Sequence, residues 1–187
     1  MSILLIQIAV PKGWLVMAVN RGKKFEEVVK DCFSKVPGVS VDRIHDQTTH
    51  YKGSTNICDF IVYKKPYEYY IECKSVHGNT IPIYSPEERK KYGAITNKQW
   101  EGMLEKTKIQ GVTAGVIIWF IDHNTTVYYP IKTLNDIRNS GKKSIRYDYF
   151  HPERIYLCGE KKRVFFNYDI NDLLKQLEWR MAGEIRD

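Results

Sequence analysis

The chain has 187 residues and a mass of 22.0 kDa, with 43% hydrophobic and 27% charged residues, the usual mix for one soluble, packed domain. Its aromatic content of 13% excludes a disordered chain, and its longest apolar run, 3–10, is far shorter than the roughly 20 residues of a membrane span, so no membrane partner is expected. Twenty-nine lysines and arginines against 22 acidic residues give a net charge of +7, which favours an acidic partner such as a nucleic acid.

The N-terminal residues stand apart from the patterned sequence that follows them. The apolar run 3–10 stops at Pro11 and lacks the basic start and cleavage site of a signal peptide. Two interpretations remain open: an edge or dimer-swapped strand, or an extension that precedes a natural start at Met17. The second is favoured because the next helix is complete without these residues. We therefore expect an extension over 1–16 and a single domain over 17–187.

Hydrophobic periodicity predicts a series of helices and strands without repeats or linkers. The run 112–121 is almost continuously apolar, as in a central strand buried on both faces. The predicted elements are a helix over 20–35, a strand over 39–47, a polar loop over 50–56, a hairpin of strands 59–63 and 69–75, an irregular loop or short helix over 77–96, a helix over 97–109, strands over 112–121 and 125–131, a helix over 132–139, strand fragments over 154–157 and 164–167, and a helix over 171–182. This order predicts an α/β (α+β) fold with a central mixed sheet flanked by helices.

The four cysteines predict no structural zinc site. Cys32, Cys58, Cys73 and Cys158 show no C-x-x-C spacing and no histidine at zinc-ligand distance. Cys58 and Cys73 lie inside apolar runs, where a reduced cysteine acts as a small buried hydrophobe. Such cysteines suit a reducing cytoplasm.

Charged residues interrupt the predicted hairpin. Because strand side chains alternate between faces, Glu72 and Lys74 share a face while Cys73 points to the other. If the hairpin pairs as predicted, the carboxylates of Asp59 and Glu72 converge beside Lys74. Two carboxylates suit a hard cation such as Mg²⁺, which activates water and polarises a phosphodiester, and a lysine stabilises the charge that develops.

Two further residues could join this cluster. Glu26, early in the first helix, could supply a third carboxylate, and Gln99, early in the second, could supply a neutral oxygen or position the water. An isolated E-x-K on a strand is more often a solvent-exposed face. Here the charges interrupt an apolar strand pair between two helices, so on the residues alone both interpretations remain open.

Four segments in combination resemble the RecU-like Holliday junction resolvases of the PD-(D/E)XK nuclease superfamily. They are residues 20–26, the hairpin from Asp59 to Glu72-x-Lys74, the helix start at 97–100, and the apolar strand 112–121, and the resemblance extends over about 20–131. It implies a restriction-endonuclease-like core and a homodimeric endonuclease that makes paired nicks in four-way DNA junctions with Mg²⁺, for which Mn²⁺ can substitute.

The same resemblance implies roles for individual residues. Asp59 and Glu72 become metal ligands, Lys74 the transition-state stabiliser, Gln99 a further metal-site residue, and Glu26 the helix carboxylate of the wider superfamily. The cell implied is bacterial or phage-infected, with the protein in its cytoplasm.

The sequence departs from the family in the region before Asp59. Ile57 stands where the bacterial family has a threonine, and Cys58 takes the place of a frequent proline. The long stalk of the family is reduced here to residues 47–56. A shorter, phage-like or archaeal-like resolvase fits this length.

Basic residues around the predicted acidic centre are candidates for DNA contacts. They lie at the first helix, in the stalk-like loop and before the second helix: Arg21, Lys23, Lys24, Lys52, Arg89, Lys90 and Lys91. Two alternatives compete with a resolvase: a restriction- or repair-type nuclease that acts on linear duplex, and a non-catalytic DNA-binding module. No helix-turn-helix or zinc signature supports a transcription factor.

Overall fold

A computed structural model describes residues 21–44, 56–83, 94–163 and 165–184, which form four α-helices and ten β-strands. The elements in chain order are α1 (Arg21–Ser34), β1 (Val39–Arg43), β2 (Phe60–Lys64), β3 (Tyr67–Val76), β4 (Thr80–Pro82), α2 (Asn97–Lys106), β5 (Val112–Phe120), a 3-10 turn (Ile121–His123), β6 (Thr125–Pro130), α3 (Ile131–Asn139), β7 (Ser144–Arg146), β8 (Ile155–Tyr156), β9 (Gly159–Lys161), β10 (Phe166–Tyr168) and α4 (Ile170–Glu184).

A mixed sheet of six strands, in the order β1-β2-β3-β5-β6-β8, forms the centre of the fold. Its neighbouring strands are antiparallel except for β3 and β5, which run parallel and pair from Glu68↔Val112 to Val76↔Phe120. A parallel pair needs a crossover connection, and the segment that holds α2 supplies it. The sequence prediction of a mixed sheet flanked by helices is confirmed.

Helices cover both faces of this sheet. On one face α1 contributes Phe25, Val29 and Phe33, and α4 contributes a row of leucines, all packed against β2, β3 and β5. On the other face α2 and α3 pack Trp100 and Leu134 against the opposite side of the same strands. Strand β5 is therefore buried on both sides, as its apolar sequence predicts.

The tight packing of β5 depends on a glycine. A Cβ atom added to Gly115 would lie 2.3 Å from the ring of Tyr128, a residue of the neighbouring strand β6. Tyr128 is itself fully buried. The missing side chain at Gly115 thus makes room for an aromatic ring in the centre of the sheet.

Most predicted elements agree with the structure within a few residues, but two short sheets were missed. Strand β4 pairs antiparallel with β7, and β9 with β10. The prediction of an irregular loop or short helix over 77–96 was therefore wrong at β4, a strand of three residues that ends on Pro82. So short a strand carries no readable alternation, and its partner lies far along the chain.

Several predictions concern parts of the chain that the structure leaves undescribed. The N-terminal extension over 1–16, most of the polar loop that contains Lys52, and the basic run Arg89, Lys90 and Lys91 are among them. Among the described residues, no helix is both long and apolar enough to cross a membrane. The four cysteines are unpaired, and Cys58 and Cys73 are buried as predicted.

Candidate functional site

Asp59 is fixed by the strands on both sides of it, immediately before β2 begins. Its backbone N–H donates to the carbonyl of Ile71 at 3.1 Å, and its carbonyl accepts from the N–H of Ile44 at 3.0 Å. Its side-chain Oδ2 accepts a hydrogen bond of 2.7 Å from the backbone N–H of Cys73. The carboxylate is therefore held against the stretch of β3 that carries the two other charged residues of the hairpin.

Glu72 is a buried carboxylate in the centre of the sheet, with only 1% of its surface exposed. Its Oε1 accepts hydrogen bonds from the ammonium group of Lys74 and, at 2.7 Å, from the side-chain Nε2 of Gln99. Its Oε2 is also buried, and it has no hydrogen-bond partner among the described residues. Such burial excludes the solvent-exposed-face interpretation for this residue.

Burial and neighbouring charge set the protonation of this pair. Burial raises the pKa of Glu72 to about 7, assisted by the negative charge of Asp59 and opposed by Lys74. Burial also acts to lower the pKa of Lys74, but the charges of Glu72 and Asp59 outweigh it and raise that pKa. Lys74 is therefore held as a cation, while the buried carboxyl of Glu72 lacks enough positive charge nearby to keep an ordinary pKa.

Glu26 approaches the same centre from the first helix. Its carboxylate bonds to the guanidinium of Arg43 on β1 at 2.6 Å. Burial raises the pKa of Glu26, and the nearby charge of Asp59 raises it further, while Arg43 and Lys74 act in the opposite direction. Glu26 thus lies within electrostatic reach of Asp59 and Lys74, with Arg43 as its direct partner.

Gln99 connects the site to the start of α2. The Thr96 hydroxyl accepts from the backbone N–H of Gln99 at 3.3 Å, and the Gln99 Oε1 accepts from the backbone N–H of Thr96 at 3.0 Å, which completes a capping box. The amide nitrogen of Gln99 then donates to Glu72. The oxygen expected to serve a metal instead accepts hydrogen bonds at the helix cap, so the role of Gln99 as a metal ligand stays a prediction.

The two carboxylates of the hairpin fit a hard cation. A buried carboxylate oxygen without a partner costs free energy, and Glu72 Oε2 is such an atom beside the charge of Asp59. Mg²⁺ is commonly bound by one or two carboxylates and keeps several waters. Within the described parts of the chain, no group of three or more His, Cys, Asp and Glu side chains that could hold an ion occurs.

Three of the predicted DNA-contacting residues lie in the first turn of α1, all of them exposed: Arg21, Lys23 and Lys24. Lys24 pairs with Glu27 at 2.8 Å, and a guanidinium nitrogen of Arg21 is 3.1 Å from the Nε2 of His77. Because α1 also carries Glu26, its first two turns hold both basic residues and an acidic residue of the candidate site. The other predicted contacts, Lys52 and the run 89–91, fall in undescribed segments.

Two supporting residues of the site, Arg43 and Thr96, were not expected from the sequence. The pattern Thr96-x-x-Gln99 is the sequence signature of a capping box and could have been recognised. No comparable signal marks Arg43, because its pairing with Glu26 depends on how α1 packs beside β1. The contact between His77 and Arg21 likewise could not be recognised without the fold.

No family model and no curated protein matches the sequence. Fifteen chains of solved structures match, among them a Holliday junction resolvase from the archaeal hyperthermophile Archaeoglobus fulgidus. That match has a TM-score of 0.42 and 15% sequence identity, and covers 59% of this chain and 78% of the resolvase chain. At this level of similarity, an activity has to be inferred from the residues of the site.

Proposed function

We propose that this protein is a metal-dependent endonuclease of the PD-(D/E)XK type that cuts four-way DNA junctions with paired nicks. Mg²⁺ is the proposed cofactor, with Mn²⁺ as a substitute, and a homodimer is the proposed assembly because two symmetric nicks need two active sites. The proposed superfamily is supported by the resemblance of the sequence motifs. The nuclease chemistry depends on the geometry around Glu72.

One observation carries the proposal: the buried, unpartnered Oε2 of Glu72 beside the carboxylate of Asp59. Buried carboxylate oxygens are usually hydrogen-bonded, because burial makes an unsatisfied oxygen costly, and a bound cation would satisfy Glu72 Oε2. Asp59 and Glu72 would hold the metal ion between them. When bound there, a divalent cation lowers the pKa of water and polarises a phosphoryl oxygen.

The protein's own residues divide the remaining tasks. Lys74, kept cationic by its carboxylate neighbours, is positioned to stabilise negative charge that develops on the phosphate. The Gln99 amide donates to one oxygen of Glu72, and the second oxygen, which has no protein partner in the part of the chain that the structure describes, is left for the metal ion to satisfy. Glu26 contributes a further negative charge whose orientation is set by Arg43.

The net charge of +7 and the basic first turn of α1 support DNA as the substrate. Arg21, Lys23 and Lys24 are the described members of the proposed DNA surface, and Lys52, Arg89, Lys90 and Lys91 are its remaining candidates. Contacts of this kind position the phosphate backbone without reading sequence. Junction selectivity therefore has to come from the shape of the dimer.

The test is a cleavage assay on two substrates of the same sequence. Purified protein is incubated in Mg²⁺ with a synthetic four-way junction and with linear duplex, and we expect symmetric nicks in the junction and an intact duplex. Glu72→Gln should abolish cleavage. Glu68→Gln is the matched control, since it makes the same change on the same strand, four residues away at the first pair of the β3–β5 pairing.

Each alternative has its own outcome in this assay. Equal cleavage of junction and duplex would overturn the resolvase proposal and favour a restriction- or repair-type nuclease. DNA binding without cleavage in Mg²⁺ or Mn²⁺, unaffected by Glu72→Gln, would indicate a non-catalytic DNA-binding module. Cleavage by Glu72→Gln at the wild-type rate would mean that the site is wrong.

A further inference from the structure

A second polar cluster lies at the ends of the two parallel strands, beyond the candidate nuclease site. His77 follows the last residue of β3, and Asp122 lies in the 3-10 turn that follows β5. The His77 ring nitrogen Nδ1 is 2.9 Å from the Asp122 Oδ1, and the backbone N–H of Gly78 donates to the Asp122 Oδ2 at 2.6 Å. Asp122 thus fixes both the imidazole and the turn that carries it.

The bond to Arg21 determines which nitrogen of His77 carries the proton. A guanidinium has five N–H donors and no acceptor, so the His77 Nε2, at 3.1 Å from Arg21, must accept. The proton of the neutral ring is then on Nδ1, where it is donated to Asp122. Asp122, His77 and Arg21 therefore form one chain of hydrogen bonds that orients the guanidinium of Arg21.

This series of hydrogen bonds lies close to the proposed nuclease centre. His77 is three residues beyond Lys74 on the same chain, which corresponds to roughly 10 Å at the rise of a strand. Arg21 is on the same helix as Glu26, less than two turns before it. A distance of roughly 10 Å is the axial rise of about three nucleotides on one DNA strand.

We propose that Arg21, oriented by His77 and Asp122, binds a second phosphate of the DNA, within about three nucleotides of the phosphate that is cut. This inference rests on the proposed nuclease function and adds to it a defined backbone contact. The donors of Arg21 that do not face His77 supply the paired N–H groups that suit phosphate oxygens. His77 and Asp122 are positioning residues, because they act through Arg21.

Two of these side chains are exposed enough for DNA to reach them. The side chain of His77 is 61% exposed and that of Asp122 is 49% exposed. A histidine and an aspartate on the surface gain little stability from pairing with each other. Fold stability therefore does not account for these exposed hydrogen bonds, whereas the orientation of Arg21 does.

The first experiment measures DNA affinity as a function of salt, with Ca²⁺ in place of Mg²⁺ and a synthetic four-way junction as the probe. Arg21→Gln should weaken binding severalfold and reduce the slope of log K against log salt by about 0.9, the change expected for one lost phosphate contact. Lys108→Gln is the matched control. It removes one positive charge from the turn between α2 and β5, beyond the end of β5 that lies away from Asp122, and we expect it to leave the slope unchanged.

The second experiment isolates the positioning role of His77. His77→Phe keeps a ring but removes the Nε2 acceptor, and we expect weaker binding than wild type. The double variant Arg21→Gln with His77→Phe should bind no more weakly than Arg21→Gln alone, because His77 acts through Arg21. A purely structural role for His77 would instead add its loss to that of Arg21→Gln and would overturn the positioning claim.

The third experiment locates the phosphate. Neutral methylphosphonates are placed singly at each phosphate near the cut, and one position should weaken wild type but leave Arg21→Gln unaffected. If no position separates the two proteins, or Arg21→Gln keeps the wild-type salt slope, the second phosphate site is wrong. In that case cleavage by wild type leaves the nuclease proposal intact, whereas a wild type that neither binds nor cuts DNA overturns both.

Discussion

The carboxylate of Asp59 accepts a hydrogen bond from the backbone N–H of Cys73, the residue that separates Glu72 from Lys74. This bond attaches the Asp59 side chain, just before β2, to the middle of β3, which is the strand that carries the other two charged residues. The side chain of Cys73 meanwhile packs into the core on the opposite face, against α1. Three charged groups are thus assembled by the pairing of two adjacent strands.

Asp59→Asn and Lys74→Ala should each abolish cleavage while junction binding persists. The asparagine oxygen can still accept from Cys73, so the change removes charge but keeps shape. Loss of the Lys74 cation should reduce kcat by about 10²- to 10³-fold or more, the usual cost of removing a group that stabilises transition-state charge. Gel shifts in Ca²⁺ measure binding, and Mg²⁺ assays measure cleavage.

Thermal unfolding serves as the control for both variants, since Lys74→Ala leaves the buried Glu72 without its cation. A variant that stays folded and cuts at the wild-type rate would show that its residue is no part of the site.

Gln99 has two roles that can be separated by mutation. Thr96→Ala removes the helix cap and should cost about 0.5–2 kcal/mol of stability, yet it leaves the Gln99 amide free to bond Glu72. Gln99→Ala removes both the cap contact and the bond to Glu72. It should lower kcat by about 10- to 100-fold relative to Thr96→Ala, as for other residues that orient a metal ligand. Equal activity in the two variants would limit Gln99 to capping.

Glu26 and Glu27 are adjacent glutamates with different surroundings. Glu26 faces Arg43 and lies within reach of Asp59, whereas Glu27 pairs with Lys24 on the exposed side of α1. We expect Glu26→Gln to lower the cleavage rate and Glu27→Gln to leave it near the wild-type value. Single-turnover rates on the junction distinguish the two, and identical rates would remove Glu26 from the catalytic set.

Gly115 provides a test of the fold that is independent of function. Gly115→Ala would force the buried ring of Tyr128 to move, and it should destabilise the protein by about 1–3 kcal/mol, the usual cost of overpacking a core. Gly183→Ala, near the end of α4, meets nothing within 4 Å and should be neutral or stabilising by up to about 1 kcal/mol. Denaturant midpoints measure both, and a stable Gly115→Ala would contradict the packing described for β5.

The sequence was informative where periodicity is long and one side of an element is buried. The stripe of Phe25, Val29 and Phe33 predicts α1, and the apolar run of β5 predicts a central strand, because both are imposed by burial in a large core. The strands β4, β7 and β9 have only three residues each. Their pairing is decided by tertiary contacts between distant segments, which no local pattern records.

The candidate site divides in the same way. Alternation along a strand predicts that Glu72 and Lys74 share a face, and the hairpin brings Asp59 to them. Whether an amide presents its oxygen or its nitrogen depends on the atoms that surround it. For Gln99 the decisive neighbour is Thr96, three residues earlier, whose backbone N–H and hydroxyl both lie within hydrogen-bond distance of the Gln99 oxygen.

The short hairpin between β2 and β3 has a consequence for how the protein can change. Side chains on a strand alternate, so a slip of one residue in the pairing of β2 with β3 would move Asp59 to the opposite side of the sheet from Glu72. The same slip would turn the buried side chains of Phe60 and Val62 out of the core, so the length of the turn at Lys65 and Pro66 is constrained by the core as well as by the acidic pair. Length is free to vary in many loops of a protein, but here it is constrained by chemistry.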